Sequence, residues 1–338
     1  MEVALYTLAA ALPVTVFFLA VTTGWEVYRL PQVSTLGGAL RAGSLAAFLV
    51  TFGLYTVVDV WKKLRGTRPI PGIRISAQPI HYPPGEATRQ RWRWNGIHQL
   101  QLIQVQLTLP DLDPGLRGLR IGHLTDFHLG REGGCEYLRH AVEMLCGAQP
   151  ELIAVTGDFV NFSKYLDVCF EALADLHAPL GVYAVRGNHD YWVGAGRVEQ
   201  AIRAQGWTLL DDRTVEIERN GATFRLSGIE SPWSRSSKPL DYIPDDARKL
   251  EIILSHTPDE FPRLVARHPH LVLSGHTHGG QICLPFFGPA VVPSIYGRKY
   301  TAGLFREKES FLYVSKGVGS YPPIRLFCDP EVTVIELV

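Results

Sequence analysis

Leu119-Arg120-Ile121-Gly122-His123-Leu124-Thr125-Asp126-Phe127-His128 is a short apolar run of strand length that ends in two side chains able to bind a cation. The same device recurs down the chain. Leu152 to Thr156 leads into Gly157-Asp158, and Val182 to Val185 into Gly187-Asn188-His189-Asp190. Glu251 to Leu254 ends at Ser255-His256, and Leu271 to Leu273 runs into Gly275-His276-Thr277-His278. Phe311 to Val314 and Val332 to Leu337 read as further buried strands. Helix-permissive stretches, Cys135 to Cys146 and Asp167 to Leu176, fall between the first of them, and this alternation predicts an α/β domain. In open α/β sheets, ligands bind at the C-terminal edge of the strands. Five consecutive strands that each deliver Asp, Asn or His to that edge therefore predict one shared site. Glycine before Asp158, Asn188 and His276 fits tight turns that re-aim the next side chain.

Taken singly, each fragment is ordinary: Asp-x-His is usually a surface turn, and a buried histidine more often satisfies a hydrogen bond than binds metal. Order, spacing and strand context together make the set specific. His81, His98, His123, His140, His177, His268 and His270 lack that context and read as structural, with His123 near enough to the first motif to support a ligand. Imidazole with carboxylate suits Mn, Fe, Zn, Ni or Co better than Ca or Mg. Seven candidates are too many for one tetrahedral ion and about right for two ions that share a carboxylate. Two such ions ~3.5–4 Å apart are a recurring device for hydrolysing phosphate esters. A remaining histidine could protonate the leaving oxygen or stabilise an equatorial one. A metalloprotease is excluded, because His-Glu-x-x-His does not occur.

At these residues the chain resembles the calcineurin-like metallophosphoesterases, over roughly residues 100 to 338. The resemblance implies a β-sandwich flanked by helices with metals at its rim. It implies Asp126, His128 and His278 at one metal, Asn188, His256 and His276 at the other, and Asp158 bridging them. His189 becomes the catalytic histidine, with Asp190 orienting its imidazole. The implied cofactors are two divalent transition-metal ions, manganese foremost, with Fe, Zn, Ni and Co open. A narrower likeness lies in Gly275 to Pro289, Lys316-Gly317-Val318-Gly319 and Pro323-Ile324-Arg325. These resemble a membrane-anchored bacterial branch that includes phosphodiesterases and UDP-2,3-diacylglucosamine pyrophosphatase. Asn161 departs from that pattern, since many relatives carry Asp there. Arg325 reads as a structural ion pair in preference to a substrate contact. A non-catalytic binding module on the same fold is disfavoured, because every expected position is filled.

The chain has 338 residues, 46% of them hydrophobic and 20% charged, which is a globular composition. Lys plus Arg and Asp plus Glu are both 33, so no cationic surplus favours nucleic acid as a partner. Five cysteines without a Cys-x-x-Cys pair argue against a disulfide framework and for a reduced compartment.

Val3 to Trp25 carries no charge over 23 residues, and as a helix of ~1.5 Å per residue it would cross a ~30 Å hydrocarbon core. A signal peptide is the simpler alternative, but no basic residue precedes the run. Ala42 to Val58, with 17 uncharged residues, sits at the lower limit for a span and also fits a buried or interfacial helix. The expected organisation is a transmembrane hairpin over residues 1–65, with spans at about 3–25 and 42–60. A linker over 66–98 and a catalytic domain over 99–338 follow. Lys62, Lys63, Arg65, Arg68 and Arg74 follow the second run, which places both termini in the cytoplasm; the resemblance to the membrane-anchored bacterial branch implies a bacterial inner membrane. Arg89-Gln90-Arg91-Trp92-Arg93-Trp94 could lie on anionic headgroups or form a strand with one basic face. An anchored hydrolase suggests a phospholipid or nucleotide-lipid substrate at the bilayer.

Overall fold

The computed structural model describes residues 73–79, 96–130, 134–230, 232–233, 240–244, 246, 248–284 and 287–338. The elements described below belong to one compact unit, which takes in the described residues apart from Ile295–Lys299. Both apolar N-terminal runs and the Arg89 to Trp94 stretch lie outside the described residues. Among the described residues no helix is long and apolar enough to cross a membrane.

In chain order the strands begin with β1 (Ile73–Pro79), β2 (Gln101–Leu107) and β3 (Arg120–Leu124). Helix α1 (Cys135–Gly147), β4 (Leu152–Val155), α2 (Leu166–Ala172), β5 (Val182–Ala184), α3 (Asn188–Ala204) and β6 (Thr208–Leu209) come next. Then follow β7 (Arg213–Arg219), β8 (Ala222–Ile229), β9 (Glu251–Ser255), α4 (Phe261–Leu264) and β10 (Leu271–Ser274). The series closes with β11 (Cys283–Leu284), β12 (Gly288–Pro289), β13 (Gly303–Glu307), β14 (Ser310–Val314) and β15 (Glu331–Leu337).

Two mixed sheets result. One has seven strands in the order β1-β2-β15-β3-β4-β5-β6, and the other six in the order β13-β14-β10-β9-β8-β7. Strands β3 to β6 are parallel, as are β8, β9, β10 and β14, so their C-terminal edges gather the loops that carry the motifs. Strand β15 runs parallel to β2 and antiparallel to β3.

Period-2 alternation divides the side chains between two cores. Ile121, Leu152 and Ala154 pack between the sheets with Phe224, Leu226, Ile252, Leu254 and Leu273. Leu124, Ile153 and Val155 point the other way, onto Leu138, Val142 and Leu145 of α1, Phe170 of α2 and Val198 of α3. The strands at the centre of the seven-stranded sheet are therefore buried on both faces, which is why they read as continuous apolar runs. The second sheet covers one face and the helices the other, giving the α/β arrangement expected from the motifs.

Some elements differ from expectation. Helix α2 ends at Ala172 and the chain turns before Leu176, although Leu173 and Leu176 stay buried. Residues 73–79, within the proline-rich stretch expected as linker, form the edge strand β1, where Pro79 sits at the strand end. The β7–β8 hairpin turns on Asn220-Gly221, both with positive φ (51° and 78°), a pairing suited to a tight hairpin.

Candidate metal centre

All seven expected ligands meet at one end of the sandwich, on the loops after β3, β4, β5, β9 and β10. Asp126, His128, Asp158, Asn188, His256 and His278 are buried, and His276 is half-buried. Five of the seven hold a positive φ: Asp126 (53°), His128 (45°), Asp158 (60°), His276 (70°) and His278 (51°). Residues other than glycine rarely adopt that region, and it persists where surrounding structure over-determines it, commonly at functional sites. The glycines serve crowding more than turning. Gly157 does have φ 89°, but a Cβ there would lie 2.3 Å from the Gly187 nitrogen. At Gly275 a Cβ would lie 2.1 Å from Asp126 Oδ2.

The donor atoms converge. His128 Nε2 is 3.1 Å from His278 Nε2, and Asp126 Oδ1 lies 3.7 Å and 3.5 Å from those same nitrogens. In the neighbouring group His256 Nε2 is 3.1 Å from Asn188 Oδ1 and 3.2 Å from His276 Nδ1. Asp158 Oδ2 belongs to both groups, 3.4 Å from His128 Nε2 and 3.3 Å from His256 Nε2. Ligands at ~2.1 Å from one ion stand about 3.0 Å apart in an octahedron and about 3.4 Å apart in a tetrahedron. These separations therefore fit donors arranged around cations.

The supporting hydrogen bonds select the matching tautomers. His256 Nδ1 donates to the Thr156 carbonyl (2.6 Å), which leaves the Nε2 lone pair facing Asp158. His128 Nδ1 donates to Asn161 Oδ1 (2.8 Å), and Asn161 Nδ2 donates to the His128 carbonyl (3.0 Å). Asn161, noticed in the sequence only as a departure from pattern, is thus the clamp on His128. Asp126 Oδ2 accepts from Thr125 Oγ1 (2.8 Å) and the His276 backbone N–H (2.9 Å), and Asp158 Oδ1 accepts from the His189 N–H (2.8 Å).

Electrostatics agree with a demand for positive charge. Burial would raise the Asp126 carboxyl, but the surrounding imidazoles, His278 first, hold it well below its usual range. Asp158 is lowered likewise by His256 and His128 against the same burial. In return, Asp158 pulls His256 up to about 10 despite burial, while burial pushes His276 down to about 4. A divalent cation can replace such bound protons.

Asp190 corrects an expectation. Its carboxylate accepts from the backbone N–H groups of Gly187 and Asp158 (2.8 Å each) and Phe159 (3.0 Å). As the third residue of α3 it closes the helix start against the Gly187 nitrogen, so it fixes the backbone of the two loops that carry Asp158 and Asn188 instead of orienting the His189 ring. That ring lies edge-on to His128 with centroids 4.6 Å apart, 4.5 Å from Trp192 and 5.9 Å from Tyr321. Its ligand atom falls within 4.8 Å of those of His128 and Asp158. Arg325, expected in an ion pair, is fully buried and donates to the backbone carbonyls of His278, Cys328, Lys316, Gly317 and Gly319, bracing the loop that carries His278. His123 Nε2 bonds Thr156 Oγ1 (2.9 Å), one residue from the carbonyl that orients His256.

Comparison with known proteins gives the same picture. Residues 119–280 match the model of the calcineurin-like phosphoesterase family. Phosphodiesterase YaeI of Escherichia coli (strain K12) is 32% identical over 226 residues, 65% of this chain and 82% of that protein. UDP-2,3-diacylglucosamine pyrophosphatase LpxG of Chlamydia trachomatis is 27% identical, covering 72% of this chain and 92% of that one. A transmembrane protein with metallophosphoesterase domain from Danio rerio is 28% identical over 72% of this chain and 58% of its own length.

Proposed function

The chain belongs to the calcineurin-like phosphoesterases, hydrolases that bind two divalent metal ions, and from that premise we propose that it cleaves a phosphodiester or pyrophosphate bond in a lipid-linked or nucleotide-lipid substrate such as UDP-2,3-diacylglucosamine. Asp126, His128 and His278 would hold one ion and Asn188, His256 and His276 the other, with Asp158 in reach of both sets. The observation that carries this reading is the position of Asp158 Oδ2, 3.4 Å and 3.3 Å from one imidazole nitrogen of each group. Manganese is the proposed metal. Lewis-acid charge at the phosphoryl group and activation of water are what such a pair supplies when bound.

The chain's own residues do the rest. His189, beside the ligands and outside the two sets, donates a hydrogen bond to a phosphoryl or leaving oxygen. Asp190 holds the backbone that carries Asp158 and Asn188 in register. Asn161 and the Thr156 carbonyl keep the His128 and His256 rings turned toward the centre. The lipid part of the reading draws on the likeness to LpxG and on the uncharged N-terminal runs. The same runs motivate an inner-membrane location with a cytoplasmic catalytic domain, which a reporter fused after residue 338 tests.

Two measurements test the function. His189→Ala should keep both metals and lose ~10²–10⁴-fold in kcat, and metal loss would move His189 into the ligand set. Substrates matched except for their acyl chains should differ in kcat/KM in favour of the acylated form. Equal values would leave a general phosphodiesterase anchored only for location, the reading favoured by the likeness to YaeI.

A further inference from the structure

A cavity of about 270 Å³ adjoins the metal centre. The His128 ring and the Asn161 amide belong to its wall, so one ring separates it from the donor atoms. The rest of the wall includes Leu129, Tyr137, Leu138, Phe162 and Tyr321, and among the described residues no Lys, Arg, Asp or Glu lines it. Its polar groups are mostly spent. Asn161 is engaged with His128, and the Tyr137 hydroxyl donates to the Val318 carbonyl. The N–H groups of Leu129, Val318 and Gly319 are taken by the carbonyls of Phe159, Thr125 and Asp126. A phosphate or carboxylate would find no compensating charge there, and a nucleobase would leave most of its polar edge unpaired.

Among the described residues of the wall, one buried side-chain atom is unspent. Ser320 lines the cavity, and its Oγ is buried with no hydrogen-bond partner among the described residues. Most buried hydroxyls are bonded, and a turn of χ1 would let this one reach a guest's single carbonyl or hydroxyl. The mouth is aromatic and wet: Phe162 is 51% and Tyr321 49% exposed, with their rings 6.4 Å apart. The Tyr321 ring is also 5.9 Å from that of His189, so the opening faces the reacting side of the centre. A cavity of about 150 Å³ accepts benzene, with six carbons, so this one has room for roughly ten.

We propose that the cavity is the subsite for one fatty acyl chain of the substrate, taking roughly its first ten carbons, with Ser320 meeting the acyl carbonyl or a chain hydroxyl. The assignment rests on the lipid reading above and adds where the chain goes.

The test uses the full-length, metal-loaded chain in nanodiscs. The substrates are 4-nitrophenyl alkyl phosphates with about two to sixteen alkyl carbons, each kept below its aggregation concentration. The expected kcat/KM rises by up to about fourfold per methylene, then breaks to a plateau near ten carbons. Leu138→Trp should move the break to shorter chains. Gly134→Phe should do the same without disturbing the core, because Gly134 is exposed, has φ −61° and has open space at its Cβ position. A rise that continues to the longest chain in all three proteins would overturn the cavity assignment and leave the lipid reading standing. A series flat from the start would overturn both. Loss of activity toward thymidine 5′-(4-nitrophenyl phosphate) in Leu138→Trp, with the alkyl break unmoved, would give the cavity to a base and overturn the proposal.

Discussion

The seven-stranded sheet delivers Asp126, His128, Asp158 and Asn188 to the site, and the six-stranded sheet delivers His256, His276 and His278. One half brings both carboxylates and the other only imidazoles. The carboxylates are 0% and 1% exposed, and burying such charge without compensation is costly. Each is tied by backbone N–H groups, Asp126 by that of His276 from the opposite sheet. The contrast teaches where positive charge is required: at the seam, touching both sheets, so that cation binding and sheet packing stabilise one another.

The largest effect should come from the charge that both groups share. Asp158→Asn is expected to lower kcat/KM by on the order of 10⁴-fold and to release both ions, whereas His276→Gln, which removes a neutral donor, should cost nearer 10²-fold. Elemental analysis beside kinetics checks this, and equal losses in the two variants would erase the distinction between the halves.

Next comes the seam itself. At a metal concentration about a thousandfold above Kd, binding contributes roughly 4 kcal/mol, so chelation should lower Tm by about ten degrees. Calorimetry with and without chelator reads it. An unchanged Tm would mean that the ions do not clamp the sheets.

Smaller is the clamp on the carboxylate side. Asn161→Ala frees the His128 ring and should weaken metal binding ~10–100-fold, measured by metal titration, while Asn161→Asp should recover much of the loss. An unchanged metal affinity in Asn161→Ala would show that the ring of His128 does not need this clamp.

The smallest effect is a slope. Burial holds His123 down to about 3 in the folded chain, against ~6.5 when unfolded. The unfolded state therefore binds the extra proton as pH falls through 6.5. His123 contributes stability that is complete above that pH and is lost on the way toward 3, at up to about 1.4 kcal/mol per pH unit. Urea unfolding of metal-free protein between pH 7 and 4.5 should give a flatter profile for His123→Asn. Parallel profiles would show that His123 is not held neutral.

The candidate site was legible because strands buried on both faces leave a plain apolar signature, and the residues able to ligate metal follow directly at their ends. Leu152–Val155 and Leu271–Ser274 needed nothing else. What stayed hidden depends on neighbours distant in sequence. The Asp190 carboxylate finds its partners on Asp158 and Phe159, 32 and 31 residues away, and nothing local distinguishes that from a bond to the adjacent imidazole. Arg325 read as a structural ion-pair residue, and nothing in the sequence marks it as fully buried. The five loop carbonyls that accept from it are brought together only by the fold. Gln101–Leu107 alternates visibly, yet its role as the neighbour of β15 is a matter of topology, which periodicity does not carry.

That neighbour has a consequence in time. Strand β15 is inserted between β2 and β3, with register from Glu331 opposite Gln101 to Leu337 opposite Leu107. A ribosome that has made everything through β14 has therefore produced six of the seven strands, β1 and β2 on one side of an open slot and β3 to β6 on the other. The loops bearing Asp126 and His128 hang from one lip of that slot. Until residues 331–337 emerge and fill it, the early half of the sheet has two raw edges and no fixed spacing. Strand β15 thus gives the loop bearing Asp126 and His128 its footing, so the early strands depend on a segment about two hundred residues later for their spacing.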